Sequence, residues 1–369
     1  MAPFNDYYKG KRVFVTGHTG FKGAWLALWL TSLGAEVTGY SLAPPSSPSV
    51  FDAVRLDERI SHVHGDILNA DSLTDAMQAA KPHIVFHLAA QALVLDSYEQ
   101  PVETLQTNII GSANVMEAVR RTESVETLVL ITTDKCYENR EQPWGYREND
   151  PLGGHDPYSA SKGAMEIVCA AWNNSFFIPE GRVAAATVRA GNVIGGGDFG
   201  AHRLVPDYVR AVMQNRPLEV RMPEAVRPWQ FVLEPLSGYM WLAVMLGRDP
   251  RKYRGAWNFA PGDNTCSVRE LAETIGRVSG VGTWKDCSAG SETPHEASIL
   301  KLCSDKAAAV LKWKAILDID RTVDLTMRGY APFVEGDTGR MAEVCERQCA
   351  EYTRLAAEKG LPWASDHEG

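Results

Sequence analysis

Residues 11–23 read Lys11-Arg12-Val13-Phe14-Val15-Thr16-Gly17-His18-Thr19-Gly20-Phe21-Lys22-Gly23, and this stretch decides the fold. The short apolar run closed by a glycine has the pattern of a buried parallel strand. A helical stretch follows from Phe21 to Leu33, and Ala35-Glu36-Val37-Thr38-Gly39-Tyr40 reads as a second strand. Strand, helix and strand in this order make a βαβ unit. Between the first strand and the helix, the spacing G-x-x-G-x-x-G reads as a turn that holds a dinucleotide. Gly17 permits the tight turn, and Gly20 lets a pyrophosphate approach backbone N–H groups. Gly23 lets the helix pack close on the strand, and the helix N-terminus favours the anion. Gly17, Thr19, Gly20, Phe21, Lys22 and Gly23 are therefore the expected contacts of the dinucleotide.

The alternation continues outward from this unit. Strands are expected at Ile60 to Gly65, His83 to His87, Thr127 to Thr132 and Val183 to Val188, with helices at Ala70 to Ala80, Thr104 to Arg120 and Tyr158 to Asn173. Such alternation predicts an α/β fold with a doubly wound parallel sheet of Rossmann type. Past Gly191 glycine and proline become denser, and the expected elements are shorter. Residues 1–190 are thus expected to form the nucleotide-binding domain and residues 191–369 mainly a smaller substrate-binding lobe. A segment near 230–260 returns to the sheet through Trp257-Asn258-Phe259. Thr338 to Lys359 carries apolar residues at Met341, Val344, Tyr352 and Leu355, the spacing of an amphipathic helix on the core.

Composition narrows the partners. A net charge of -9 argues against a nucleic-acid binder, while leaving room for a local basic cluster around an anionic small molecule. The seven cysteines include no C-x-x-C pair, so no metal site and no disulfide framework is expected. The N-terminal residues lack the apolar core of a signal peptide, and no apolar run is long enough for a bilayer. The nearest, Ala24 to Leu33, is broken by Thr31 and Ser32 and reads as a buried helix. A cytoplasmic protein without membrane contact is expected.

After the second strand stands Tyr40-Ser41-Leu42-Ala43, without the carboxylate that commonly holds a ribose and without an arginine for a 2′-phosphate. This favours NAD over NADP. Asp66 and Ile67, after the third strand, are candidates for the adenine end, with a helix cap as the plain reading of Asp66. Further along, Tyr158 and Lys162 lie four residues apart on one helix face. A lysine ammonium favours a phenolate, and a phenolate at a sugar hydroxyl serves as a general base while the nicotinamide takes the hydride.

These residues together resemble the extended short-chain dehydrogenase/reductase family. The likeness rests on the glycine turn, Leu88-Ala89-Ala90, Asn108, Thr132-Thr133, the Tyr158/Lys162 pair and Arg189-Ala190-Gly191-Asn192-Val193. It implies NAD as cofactor, with Leu88, Ala89, Ala90, Thr132, Tyr158 and Lys162 beside it. It also implies that Thr132 or Thr133 touches the sugar hydroxyl and that Asn108 supports a neighbouring helix. Within the family, Thr133-Asp134-Lys135-Cys136-Tyr137, Trp144-Gly145-Tyr146-Arg147-Glu148, Ile194-Gly195-Gly196-Gly197-Asp198 and Arg227-Pro228-Trp229-Gln230 resemble the branch of nucleotide-sugar 4,6-dehydratases that acts on CDP-glucose. By that resemblance Asp134 is the acid for the hydroxyl leaving carbon 6, and Lys135 the base, or a proton shuttle, for the proton on carbon 5. An unprotonated lysine and a protonated carboxyl each need a pKa displaced from its ordinary value.

For the substrate, Asn192, Arg203, Arg227 and Trp229 are expected contacts, with Arg189 a further candidate for the pyrophosphate. His295-Glu296 also resembles this branch and is kept outside the core site. The chain departs from the branch at Leu95 and Phe231, two positions expected near the substrate. The alternatives are another nucleotide-sugar dehydratase, an epimerase of the same family, or a non-catalytic NAD-binding regulator. Such regulators commonly lose the tyrosine/lysine pair that stands here. A homo-oligomer, dimer or tetramer, is expected.

Overall fold

In a computed structural model, residues 3–262, 265–288 and 299–365 are described. The first half runs β1 (Arg12–Thr16), α1 (Phe21–Ser32), β2 (Glu36–Ser41), β3 (Ser61–His64), α2 (Ala70–Ala80), β4 (Ile84–His87), α3 (Val94–Glu99), α4 (Pro101–Leu105), α5 (Ser112–Arg121), β5 (Thr127–Ile131), α6 (Pro157–Trp172) and β6 (Ala184–Ala190). The second half runs β7 (Asn192–Ile194), α7 (Leu204–Met213), β8 (Leu218–Val220), β9 (Val226–Phe231), α8 (Leu233–Arg248), β10 (Gly255–Phe259), β11 (Thr265–Ser267), α9 (Val268–Ser279), β12 (Trp284–Asp286), α10 (Ile319–Val334) and α11 (Met341–Glu358).

Seven strands form the main sheet in the order β10-β6-β5-β4-β1-β2-β3, and every pairing in it is parallel. The doubly wound α/β fold read from the sequence is thus present. The strand order reverses between β1 and β4, so the crevice for a ligand opens at their carboxyl ends. Two further sheets, β11-β9-β7 and β12-β8, build the C-terminal part.

The expected elements differ from the observed ones mainly at their ends. One difference has a physical cause within a helix: residues Gln106–Gly111 widen into a π-type segment between α4 and α5. There Asn108 accepts from Gln91 N at 2.9 Å and donates to Ser161 Oγ at 2.8 Å, so the bulge turns a polar side chain into the core and onto α6. The second half is also less fragmented than its glycine and proline content suggests. Leu233–Arg248 forms a helix of 16 residues that is buried almost throughout. It packs against β5, β6 and β9 and feeds β10, whose Phe259 pairs with Ala190 of β6. Helix α1 is buried from Gly23 to Leu30 and covered by α11, with Trp29 edge-on to Tyr352 at 6.2 Å. No helix among the described residues is long and apolar enough to cross a membrane.

Candidate active site

The glycine turn sits where β1 ends, against the start of the loop after β4. Gly17 has φ +76, and a Cβ there would meet Ala89 N at 2.6 Å. A Cβ on Gly23 would fall 2.1 Å from Gly17 O, so α1 packs this closely on the turn only with glycine. Gly20 differs: its Cβ position meets only Gly17 O, at 3.4 Å. It begins α1 without any side-chain cap, leaving first-turn N–H groups for an anion. Thr19 hydrogen-bonds Ser41 Oγ at 2.8 Å and donates to Leu42 O at 2.9 Å, tying the turn to the end of β2. This uncapped helix start and open glycine fit the diphosphate of a dinucleotide. Asp66 is half-buried, and its Oδ1 accepts from Leu68 N at 2.9 Å; Asn69, not Asp66, caps α2. Ile67 is buried, and Leu88, Ala89 and Ala90 line the neighbouring strand end half-buried.

Helix α6 starts crisply. Asp156 caps it by accepting from Ser159 N at 2.9 Å, and Pro157 occupies the first helical position. Tyr158 and Lys162 are both buried on it. Burial lowers the Lys162 ammonium to about 8, helped by the like charge of Lys22. Burial also raises the Tyr158 phenol to about 12, while hydrogen bonding by Thr133 pulls it down and the charge of Asp134 pushes it up. Burial thus works against the phenolate that nearby positive charge favours.

Thr133 begins the short turn Asp134–Cys136, which packs on α6. Its Oγ1 donates to Asp134 Oδ1 at 2.9 Å. Lys135 Nζ lies 3.9 Å from the same Oδ1; the lysine side chain is 31% exposed and the aspartate 2%. The other carboxylate oxygen, Oδ2, is buried without a hydrogen-bond partner among the described residues and faces Gly191, where a Cβ would come within 3.2 Å. Asn192 follows that glycine as the half-buried first residue of β7. Lys22 approaches from the glycine turn: burial and Arg203 lower its ammonium to about 8, against the charges of Asp134 and Asp198. Arg203 donates to Asp198 Oδ2 at 2.9 Å and its charge also reaches Tyr158. The structure thus gathers Lys22, Thr133, Asp134, Lys135, Tyr158, Lys162 and Arg203 in one cleft.

Other expected contacts lie elsewhere. Thr132 is buried and donates to Glu166 Oε1 at 2.5 Å, so Thr133 and not Thr132 faces Tyr158. Arg189 is not available to a pyrophosphate. It holds Glu166 through two hydrogen bonds of 2.9 and 2.8 Å and donates to Tyr137 Oη at 2.6 Å. Trp229 donates its indole N–H to Cys266 O at 3.2 Å and does not offer it to the cleft. Arg227 shares its strand face, opposite to Pro228, and donates to Val226 O at 3.0 Å. Phe231 is fully buried, edge-on to Trp25 at 6.1 Å, and belongs to the core. Leu95 is half-buried on α3, whose Ser97 accepts from Tyr158 N at 3.2 Å. His295 and Glu296 lie outside the described residues.

Glu166 escaped the sequence reading. It continues the stripe Tyr158, Lys162, Glu166 at helical spacing, which was the available signal. Its carboxylate ties α6 to β5 and β6 through Thr132, Thr187 and Arg189. Glu166→Gln leaves the buried Arg189 charge uncompensated, and we expect a loss of about 3–5 kcal/mol of stability. Urea unfolding checks this; a change below about 1 kcal/mol would mean that the pair is relaxed by water.

Three comparisons place this geometry. The family model described as "NAD dependent epimerase/dehydratase family" matches residues 13–253. A CDP-glucose 4,6-dehydratase of Salmonella typhimurium is 44% identical over 355 residues, covering 94% of this chain and 97% of the relative. A probable dTDP-glucose 4,6-dehydratase of Sinorhizobium fredii is 26% identical over 252 residues, 66% of this chain and 70% of that one. Among solved structures, UDP-glucose 4-epimerase from Brucella ovis in complex with NAD superposes with a TM-score of 0.74 at 22% identity, over 88% of this chain and 98% of that one, a likeness of fold. From the glycine turn, the strand order and these matches together, the chain belongs to the NAD dependent epimerase/dehydratase family.

Proposed function

We propose that this protein is a nucleotide-sugar 4,6-dehydratase that converts CDP-glucose to CDP-4-keto-6-deoxyglucose. One observation carries the reading. Beside the Tyr158/Lys162 pair stand two more groups, a buried Asp134 and a part-exposed Lys135, held at one strand end. An epimerase has no use for a second acid and base, whereas elimination of water needs both. The near full-length likeness to a CDP-glucose 4,6-dehydratase supports CDP-glucose over other nucleotide sugars.

NAD would be held at Gly17, Thr19, Gly20, Phe21, Lys22, Gly23, Asp66, Ile67, Leu88, Ala89 and Ala90, and would supply reversible two-electron chemistry beside the sugar. Tyr158 receives the proton of the carbon 4 hydroxyl, with Thr133 beside it and Lys162 beneath. The new ketone acidifies the proton on carbon 5, which Lys135 removes. Asp134 protonates the hydroxyl leaving carbon 6. Its Oδ1 faces Thr133 and Lys135, so that oxygen is the working one. Arg203 serves the substrate pyrophosphate, with Asn192 beside it at the start of β7; Arg227 and Trp229, on the other face of β9, are not assigned to the pocket. Incubation with CDP-, UDP-, TDP- and GDP-sugars tests the reading: CDP-glucose should give the ultraviolet band that 4-keto products develop in alkali. A carbon 4 epimer instead would favour the epimerase reading.

The protein works in the cytoplasm, an assignment supported by free cysteines throughout. It forms a homo-oligomer through α4, α6 and the π-type segment. Val102, Ile110 and Ile167 stand 64%, 53% and 61% exposed there, a clustered apolar face of a kind that marks contact with another protein surface. Val102→Glu combined with Ile167→Glu should shift the species in sedimentation velocity to monomer. An unchanged mass would place the interface elsewhere.

A further inference from the structure

The dehydratase reading leaves a proton problem. Asp134 must carry a proton when the hydroxyl leaves carbon 6, yet a carboxyl is ordinarily ionised near neutral pH. Tyr158 must accept a proton from the carbon 4 hydroxyl, yet its buried phenol is itself held protonated up to about 12. Tyr158 acting alone has nowhere to send the proton it already holds. The Thr133 hydroxyl lies between Tyr158 and Asp134. Its hydrogen already points at Asp134 Oδ1, 2.9 Å away, and its oxygen is the hydrogen-bonding neighbour of the Tyr158 phenol. The second Asp134 oxygen is turned into the protein against Gly191, so Oδ1 is the end open to exchange.

We propose that Tyr158, Thr133 and Asp134 form a one-way proton relay, through which the proton released at carbon 4 becomes the proton that expels water from carbon 6. As carbon 4 is oxidised, its hydroxyl proton passes to the Tyr158 oxygen. The phenol proton passes to Thr133 Oγ1, and the threonine proton passes to Asp134 Oδ1. Tyr158 and Thr133 end as neutral as they began, and the Asp134 carboxylate has become a carboxylic acid. That acid then protonates the oxygen leaving carbon 6, the C–O bond breaks, and water departs with Asp134 a carboxylate again. Lys135 removes the carbon 5 proton and returns it, so the protons balance over the cycle. Rotation of the two hydroxyl groups resets the chain. Two-thirds of this device is set by adjacent residues, Thr133 and Asp134, with Tyr158 brought in by the packing of α6 on their turn.

The relay rests on the dehydratase reading, and its test separates the two. Dehydration of CDP-glucose is followed against pH for wild type, Thr133→Ser, Thr133→Val and Thr133→Ala; the alanine variant covers the case in which valine fails to fold. Wild type and Thr133→Ser should share one pH profile, because in both the acid is charged from within. In Thr133→Val and Thr133→Ala, the Tyr158 phenol must lose its proton to solvent and Asp134 must draw its own from there. Relative to wild type, dehydration should fall about 10²-fold at neutral pH, and this deficit should shrink about tenfold for each unit that pH drops. A quenched reaction should then contain a 4-keto sugar that still bears its carbon 6 hydroxyl. If valine and alanine slow the reaction uniformly, with the wild-type pH profile and no such sugar, Thr133 only orients the substrate and the relay is wrong. If wild type itself forms no dehydrated product, the reading beneath the relay is wrong and the relay falls with it.

Discussion

Lys135→Met and Asp134→Asn should each cut dehydration by about 10²–10⁴-fold, the range for removing a positioned acid or base. The two variants should differ in what they leave behind. Without Lys135, carbon 4 can still be oxidised by Tyr158 and its neighbours, but no group removes the proton on carbon 5. Quenched reactions should contain the 4-keto sugar with its carbon 6 hydroxyl intact, and no deuterium should enter carbon 5 from heavy water. Without the carboxyl of Asp134, Lys135 still reaches carbon 5. The small amount of 4-keto sugar that forms should therefore exchange at carbon 5 while failing to lose water. The geometry makes this split sharp, since Asp134 Oδ1 and Lys135 Nζ are 3.9 Å apart yet one side chain is buried and the other partly exposed. Wild-type dehydration in both variants would reduce Asp134 and Lys135 to an ion pair on a loop. It would also remove the main reason for preferring a dehydratase to an epimerase.

Tyr158→Phe should lower kcat by about 10²–10⁴-fold with little change in KM, because only the hydroxyl that handles the carbon 4 proton is lost. The ring stays buried at the start of α6, and the backbone bond to Ser97 is untouched. Raising the pH should not restore activity, since no other group at that place accepts the proton. Near-full turnover of this variant would make the Tyr158/Lys162 pair a structural feature of the helix. A large rise in KM with kcat preserved would point to a binding role.

The parts of the molecule that were legible in the sequence are those governed by local rules. The turn from Gly17 to Gly23 is one, because a positive φ and two close backbone approaches can be met only by glycine. Helix α6 is another, announced by Asp156 and Pro157. What stayed hidden depends on distant partners. Helix α8 is apolar on every side, so it shows no 3.6-residue period. Arg189 resembled a phosphate ligand until Glu166, 23 residues earlier, was seen to hold it. Trp229 and Phe231 lie on one face of β9, and the sequence alone does not say that this face meets Cys266 and Trp25. The role of Thr133 between Tyr158 and Asp134 likewise emerges only when α6 is laid against the turn after β5.

In the proposed reaction a hydrogen leaves carbon 4 of CDP-glucose and arrives at carbon 6 of the same molecule as water is lost. CDP-glucose deuterated at carbon 4 tests it directly, with the product analysed by nuclear magnetic resonance and mass spectrometry. The product should be a 4-keto-6-deoxy sugar whose new methyl group carries the deuterium, with no net change in the redox state of the NAD pool. Deuterium retained at carbon 4 of an inverted sugar, or lost from the sugar in step with net reduction of NAD, would contradict it.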